Sequence, residues 1–319
     1  MPAPPCLRTA ACLAAAALLA VAPGAPARAQ ASDAAPARSG VRLGLGFAVD
    51  TTAVPSGWWG VDPALAELPA VVRAWRDYLA VRADPARRAA FWSAADRART
   101  PDPDLALVSE GYILDASPLL VEALPVVAGD PSRWLLRTVY VGGGTAARPG
   151  LLAMERTLVV REPAPNGGTR WALSQPAALE TAGWRRARVG PITYVVHPAL
   201  AFDARQAAAT AAWADSLARR FGVARPAPIT YYQVPDLQAG LRVMGFDWAL
   251  SADRVGGRAN PSARVVIAAD PRYGAAYRHE LAHVLLQDVA GGRSVFVSEG
   301  VAYWLGGARG RPFAGMVGN

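Results

Sequence analysis

The sequence predicts an α+β protein in two parts. Three patterns carry that expectation: a helical period from Asp62 onward, a period of two after Pro131, and alternating strands and helices after Gly190. In the first, Leu68, Val72, Trp75 and Leu79 recur at offsets of four, three and four, which places them on one helical face with Arg73, Arg76 and Asp77 off it. Asp84-Pro85 reads as an N-cap followed by a first-turn proline, opening a second helix through Phe91 and Trp92.

After Pro131, Trp134, Leu136, Thr138 and Tyr140 alternate with Leu135, Arg137, Val139 and Val141, as a strand requires. A second strand is expected over residues 151–161, and Asn166-Gly167 marks a hairpin into a third over 169–173. Helices followed by strands joined by hairpins argue for a mainly antiparallel sheet ending near Gly190. Beyond it, strands are expected at 192–196, 229–234 and 264–269, with a helix over 202–221. Asp270-Pro271 is expected to cap a last long helix from about Arg272 to Asp288. The expected organisation is therefore a signal segment 1–29, a linker 30–61 with one short strand, a first domain 62–190 and a second domain 191–319.

Composition narrows the chemistry. Cys6 and Cys12 lie beside Arg8 and an Ala/Leu-rich run from Ala10 to Ala22 that ends at Ala27-Arg28-Ala29, the form of a cleaved secretory signal. Cleavage near Gln30 leaves no cysteine and removes two arginines, lowering the net charge of +8 by two. Disulfides, thiolate nucleophiles and cysteine-ligated zinc are then excluded. All 33 basic residues are arginine, so a Schiff-base lysine and a phosphate-loop lysine are excluded as well. Those arginines are dispersed among 25 acids, which does not make a nucleic-acid groove, and no apolar run after the signal is long enough to span a bilayer. An exported chain, periplasmic or secreted, is expected.

Carboxylate, hydroxyl and histidine chemistry remains, and it is concentrated near the end. His279-Glu280-Leu281-Ala282-His283 puts two imidazoles one helical turn apart on one face, with a glutamate beside them. A catalytic zinc takes three protein ligands and keeps a further position open, and Ser298-Glu299-Gly300-Val301-Ala302 offers the third. His197 ends a strand before Pro198 and reads as a structural histidine. As donors for an oxyanion, Tyr273, Tyr277, Arg278 and Tyr303 are near in sequence. Tyr303 is the choice, one turn beyond Glu299 on the same face.

The segments RHELAHVLL and VSEGVAYWL resemble the gluzincin zinc metallopeptidases of the peptidase MA-like group over roughly residues 190 to 306. The resemblance implies a zincin-like domain with His279, His283 and Glu299 as ligands of Zn2+, Glu280 as general base and a peptide or protein as substrate. Glu299 follows His283 by 16 positions, a shorter interval than in the best-known branches. Tyr303 stands where the thermolysin-like branch carries an aspartate. Gly256 to Asn260 occupies the place of the substrate-binding edge strand, or makes a plain hairpin turn. The helix-helix-sheet order of the first domain resembles the nuclear transport factor two-like fold. Two rivals stay open: a peptidase-like binding protein that keeps its metal without turnover, and a zinc hydrolase acting on something other than a peptide. Gluzincin domains usually continue with helices over the third-ligand helix, whereas only ARGRPFAGMVGN follows Gly306-Gly307 here. With Val301, Tyr303, Trp304 and Leu305 left partly uncovered, the sequence is expected to be a C-terminally truncated fragment or to be covered by a partner.

Overall fold

The computed structural model describes residues 40–42, 48–50, 66–128, 130–145, 148–223, 227–250, 256–290 and 295–307; the expected signal segment and the tail after Gly307 lie outside them. The chain divides into two compact units, Met1–Ser56 and Gly57–Asn319. In the first, within the expected linker, β1 (Gly40–Arg42) and β2 (Ala48–Asp50) pair antiparallel.

The second unit is mixed α and β. It opens on α1 (Leu68–Leu79), α2 (Pro85–Ala89), α3 (Ala94–Arg97) and α4 (Leu105–Ser109). The stripe of α1 is buried through Val71, Val72, Trp75 and Tyr78. Asp84, Ser93 and Asp104 each cap the following helix by accepting from its free amides. Next come β3 (Ser117–Pro125), β4 (Arg133–Thr145), β5 (Arg148–Pro163) and β6 (Thr169–Ser174), an antiparallel run. Short α5 (Ala177–Glu180) leads into β7 (Arg185–Val189) and β8 (Ile192–Val196). After α6 (Ala204–Arg220) come β9 (Ile229–Gln233), α7 (Leu237–Met244), β10 (Phe246–Ala249), β11 (Gly257–Asn260) and β12 (Val265–Ala268), then α8 (Arg278–Ala290) and α9 (Val295–Gly306).

Two sheets result. One has the order β10-β5-β4-β3 with β6 also on β5; the other runs β11-β12-β9-β8-β7, parallel in its three central strands and antiparallel at both ends. The division expected at 190/191 falls inside the β7–β8 hairpin, and β10 returns to pair with β5 of the earlier sheet. Strand alternation explains why the halves are not separable by composition. Along β12, Val266 and Ala268 face α6 and α8, whereas Val265, Ile267 and Ala269 face the cluster that holds Leu107, Ile113, Tyr140 and Phe246 from the other sheet's side. The second sheet is thus buried on both faces.

The helix expected from Arg272 instead starts at Arg278, after a 3-10 turn over Pro271–Tyr273 and a break at Gly274, whose φ is 50°. Buried sheet tyrosines capture the backbone there. The Tyr231 hydroxyl donates to the Gly274 carbonyl (2.8 Å) and accepts the Tyr277 N–H (3.1 Å), while the Tyr194 hydroxyl donates to the Ala275 carbonyl (3.2 Å). A β-carbon on Gly274 would stand 2.3 Å from the Gln206 amide oxygen that receives the Ala275 N–H. These bonds replace the helical ones, and their cause is tertiary. From its start α8 is a central helix: Leu281, Val284 and Leu285 are fully buried, each stabilising the fold by about 1.5–3 kcal/mol.

A polar cluster lies inside the first half. Glu155 on β5 accepts from Thr157 (3.2 Å) and is hydrogen-bonded to Tyr140; Asp104 bonds Tyr78, and Arg82 donates to the carbonyls of Ile113, Leu114 and Ala116. Burial, reinforced by Asp104, pushes the Glu155 carboxyl up to about 7 from 4.5, against the lowering pull of its hydrogen bonds and Arg82. The folded chain therefore binds more protons than the unfolded one between those values, so this residue's contribution falls as pH rises through that window. Glu155→Gln should accordingly gain stability relative to the parent between pH 5 and pH 8, on the order of 1 kcal/mol per pH unit at the steepest, read by urea unfolding. A difference that does not change with pH would show that Glu155 stays ionised throughout.

Candidate metal centre

The site is built by α8 and α9 as an antiparallel pair. His279 and His283 lie one turn apart on α8, and Glu299 reaches them from α9. The spacings are nearly equal: His279 Nε2 to His283 Nε2 is 3.3 Å, and the two Glu299 carboxylate oxygens lie 3.3 Å from one imidazole each. Among the described residues this is the group of histidine, cysteine and carboxylate side chains placed to hold a metal ion. The third histidine, His197, stands apart, accepting the Ala199 N–H at Nδ1 (3.1 Å) and packing edge-on to Trp184.

Protonation follows from the partners behind the rings. His279 Nδ1 is 3.0 Å from the Gly307 carbonyl, which has no proton to give, so Nδ1 is the donor and the neutral ring carries a lone pair at Nε2. His283 Nδ1 lies 3.1 Å from the Ser298 hydroxyl; donating to it frees Nε2 in the same way. Burial also holds the His283 imidazole below its ordinary pKa, favouring the neutral form. With both Nδ1 atoms donating, two Nε2 lone pairs face the Glu299 carboxylate. Atoms bound tetrahedrally to zinc at about 2.0–2.1 Å stand about 3.3–3.4 Å apart, the spacing of the two imidazole nitrogens, and a Glu299 oxygen lies within 4.8 Å of both, so the donor types fit that ion.

Glycine permits this approach. A β-carbon on Gly306 would stand 2.4 Å from the His279 nitrogen and 2.5 Å from the Arg278 carbonyl carbon, so the end of α9 rests directly on the start of α8. Gly307 then turns through a φ of 73° and aims its carbonyl at His279.

Glu280 is buried beside the ligands. Its carboxylate is hydrogen-bonded by the Ala259 N–H of β11 and by Tyr277, and burial pushes its pKa up, partly offset by His279 and reinforced by Glu299. Among the described residues β11 pairs with β12 alone and is the edge of its sheet. Arg258 on β11 is ion-paired with buried Glu110, which anchors that edge to the segment after α4. Of the four residues weighed as donors, Tyr273 and Tyr277 form a buried stack (3.8 Å) and Arg278 lies over Trp213. Tyr303 meets the His279 ring edge-on at 4.8 Å and is 43% exposed.

Sequence reasoning missed the rear partners. Ser298 stands inside the quoted Ser-Glu-Gly segment and was within reach of it; the Gly307 carbonyl and the Ala259 amide are backbone groups and leave no side-chain signal. No protein-family model, curated protein or solved structure matches the chain.

Removing the support behind either ring should loosen the metal. Ser298→Ala is expected to weaken zinc binding about 10- to 100-fold in a chelator competition, and Gly306→Ala at least as much, with a loss of stability because the helix pair must part. Unchanged affinity in both variants would mean that neither contact orients the imidazoles.

Proposed function

We propose that this chain is a zinc-dependent peptidase of the gluzincin kind, peptidase MA-like, with a zincin-like second half. The observation that carries the reading is the convergence of two imidazole Nε2 atoms and the Glu299 carboxylate at 3.3 Å, with Glu280 buried alongside. The order of helices and antiparallel strands in the first half supports a nuclear transport factor two-like reading of it, and the signal-like residues 1–29 support export.

His279, His283 and Glu299 would hold the ion. Zinc bound there would supply a Lewis acid for a carbonyl oxygen and lower the pKa of water to about 7. Glu280 takes the proton of the attacking water: its burial raises its affinity for that proton, and a carboxyl that keeps the proton can return it to the leaving amine. The Ala259 N–H and Tyr277 fix the orientation of that carboxylate, so the base is held in place before substrate arrives. Tyr303, exposed and packed on His279, is the residue assigned here to donate to an oxyanion, a role its exposure and nearness to His279 support.

Glu280→Gln should retain stoichiometric zinc by elemental analysis and lose peptide hydrolysis by about a hundred- to ten-thousand-fold, because it removes proton transfer and leaves the ligands in place. His283→Ala should lose zinc and activity together. A zinc-loaded parent whose peptide turnover equals that of Glu280→Gln would overturn the assignment.

A further inference from the structure

An open groove of about 500 Å³ lies beside Glu280, and two distant parts of the chain border it. β11 belongs to the second half. Val108 and Ser109 come from the end of α4, Glu110 follows them, and Tyr112 stands in the 3-10 turn Gly111–Asp115. Glu110 is the joint between the two parts. Its carboxylate is buried and ion-paired with Arg258 Nη1, and the Arg258 side chain is itself mostly buried. A charge pair so little reached by water is screened weakly and holds its geometry more firmly than a surface pair. The backbone of Glu110 is fixed as well: its N–H donates to the Ala106 carbonyl (2.9 Å) and its carbonyl accepts the Ile113 N–H (3.0 Å).

The donors that hold the Glu280 carboxylate both meet β11. Ala259, the residue after Arg258, gives its N–H. Tyr277, which gives its hydroxyl, packs against Gly257, where a β-carbon would overlap the Tyr277 ring and stand 2.6 Å from the Ile267 carbonyl oxygen. β11 has only four residues, a length that gives an edge strand little rigidity of its own. We propose that Glu110 is a positioning residue for the catalytic base: anchored in the first half, it fixes Arg258 and, through it, the Ala259 amide that orients Glu280. The inference rests on the peptidase reading and adds to that site a residue from outside its zincin-like half. Its effect reaches the reaction through geometry, since a displacement of about 1 Å at a catalytic group costs about a hundredfold in rate.

The test compares the zinc-loaded parent with Glu110→Gln, Arg258→Gln and the double variant, by amide hydrogen exchange and by steady-state peptide hydrolysis. In Glu110→Gln the Ala259 amide should exchange about tenfold faster or more, with β12 and α8 protected as in the parent and zinc stoichiometry unchanged. In the same variant kcat should fall about ten- to a hundredfold while KM stays within about twofold. The double variant should be no worse than the poorer single one, because both changes break one link. Arg258→Gln reads that link from the strand, and its exchange pattern decides the matter if Glu110→Gln does not fold. An Ala259 amide that stays protected in both single variants would overturn the proposal. So would exchange that rises alike over β11, β12 and α8, which would make the pair an ordinary stabilising contact, or a change in KM with kcat intact. Additive losses in the double variant would overturn it as well. Exchange is read without turnover, so a parent that hydrolyses no peptide would sink the peptidase reading and leave the exchange pattern to judge the hold of Glu110 on Ala259.

Discussion

The contact between the end of α9 and the start of α8 is the constraint on which the site depends. Because Gly306 has no side chain, the last turn of α9 lies against the His279 backbone, and from there the Gly307 carbonyl accepts the hydrogen bond of His279 Nδ1–H. At the other end of the same helix pair Ser298 serves His283. Glu299, between these two attachments, then has little choice of position, and its two oxygens meet one imidazole each. A carbonyl and a hydroxyl behind the rings, in place of carboxylates, orient the imidazoles without adding charge to a site that already contains Glu280 and Glu299.

The helix pair is in turn placed by the sheet beneath it. Tyr194 and Tyr231 hold the backbone of residues 274–277 at the point where α8 begins, so the register of the histidines is set by hydrogen bonds from strands more than forty residues earlier in the chain. The sheet is covered on its other side by α7, by Phe246 of β10 and by residues from the first half, including Ile113 and Tyr140. That is why the first half is part of the site's framework. The Glu110–Arg258 ion pair makes the same link at the edge strand, and Ala259, next to Arg258, gives its amide to Glu280.

Exposure on α9 is uneven in an informative way. Val301 and Leu305 pack on the core, whereas Phe296, Val297, Tyr303 and Trp304 are exposed. Phe296, Glu299 and Tyr303 recur at offsets of three and four and so share one helical face, the face that Glu299 turns to the histidines. Two of the exposed aromatic residues therefore flank a candidate ligand. Trp304 lies on another face, under the Arg220 guanidinium at 5.2 Å.

Local regularities alone determined a good deal of this protein. Periodicity located α1, β4 and α6, because one buried face imposes its period on the residues that fill it, and the Asn166-Gly167 turn located β6. The spacing of four between His279 and His283 put both rings on one side of a helix, and Glu299 stood out as the next acid able to join them. Tertiary structure decided what depends on partners distant in sequence. The start of α8 was misplaced by six residues because the signal at Asp270-Pro271 caps only a 3-10 turn, and the helix waits for the tyrosine hydroxyls of the sheet. β10 and the short edge strand β11 have too few residues to show a period, and their pairing comes from β5 and β12. The groups behind the imidazoles and beside Glu280 are mostly backbone atoms. A sequence specifies side chains, and a carbonyl or an amide acquires a role only where the fold brings it.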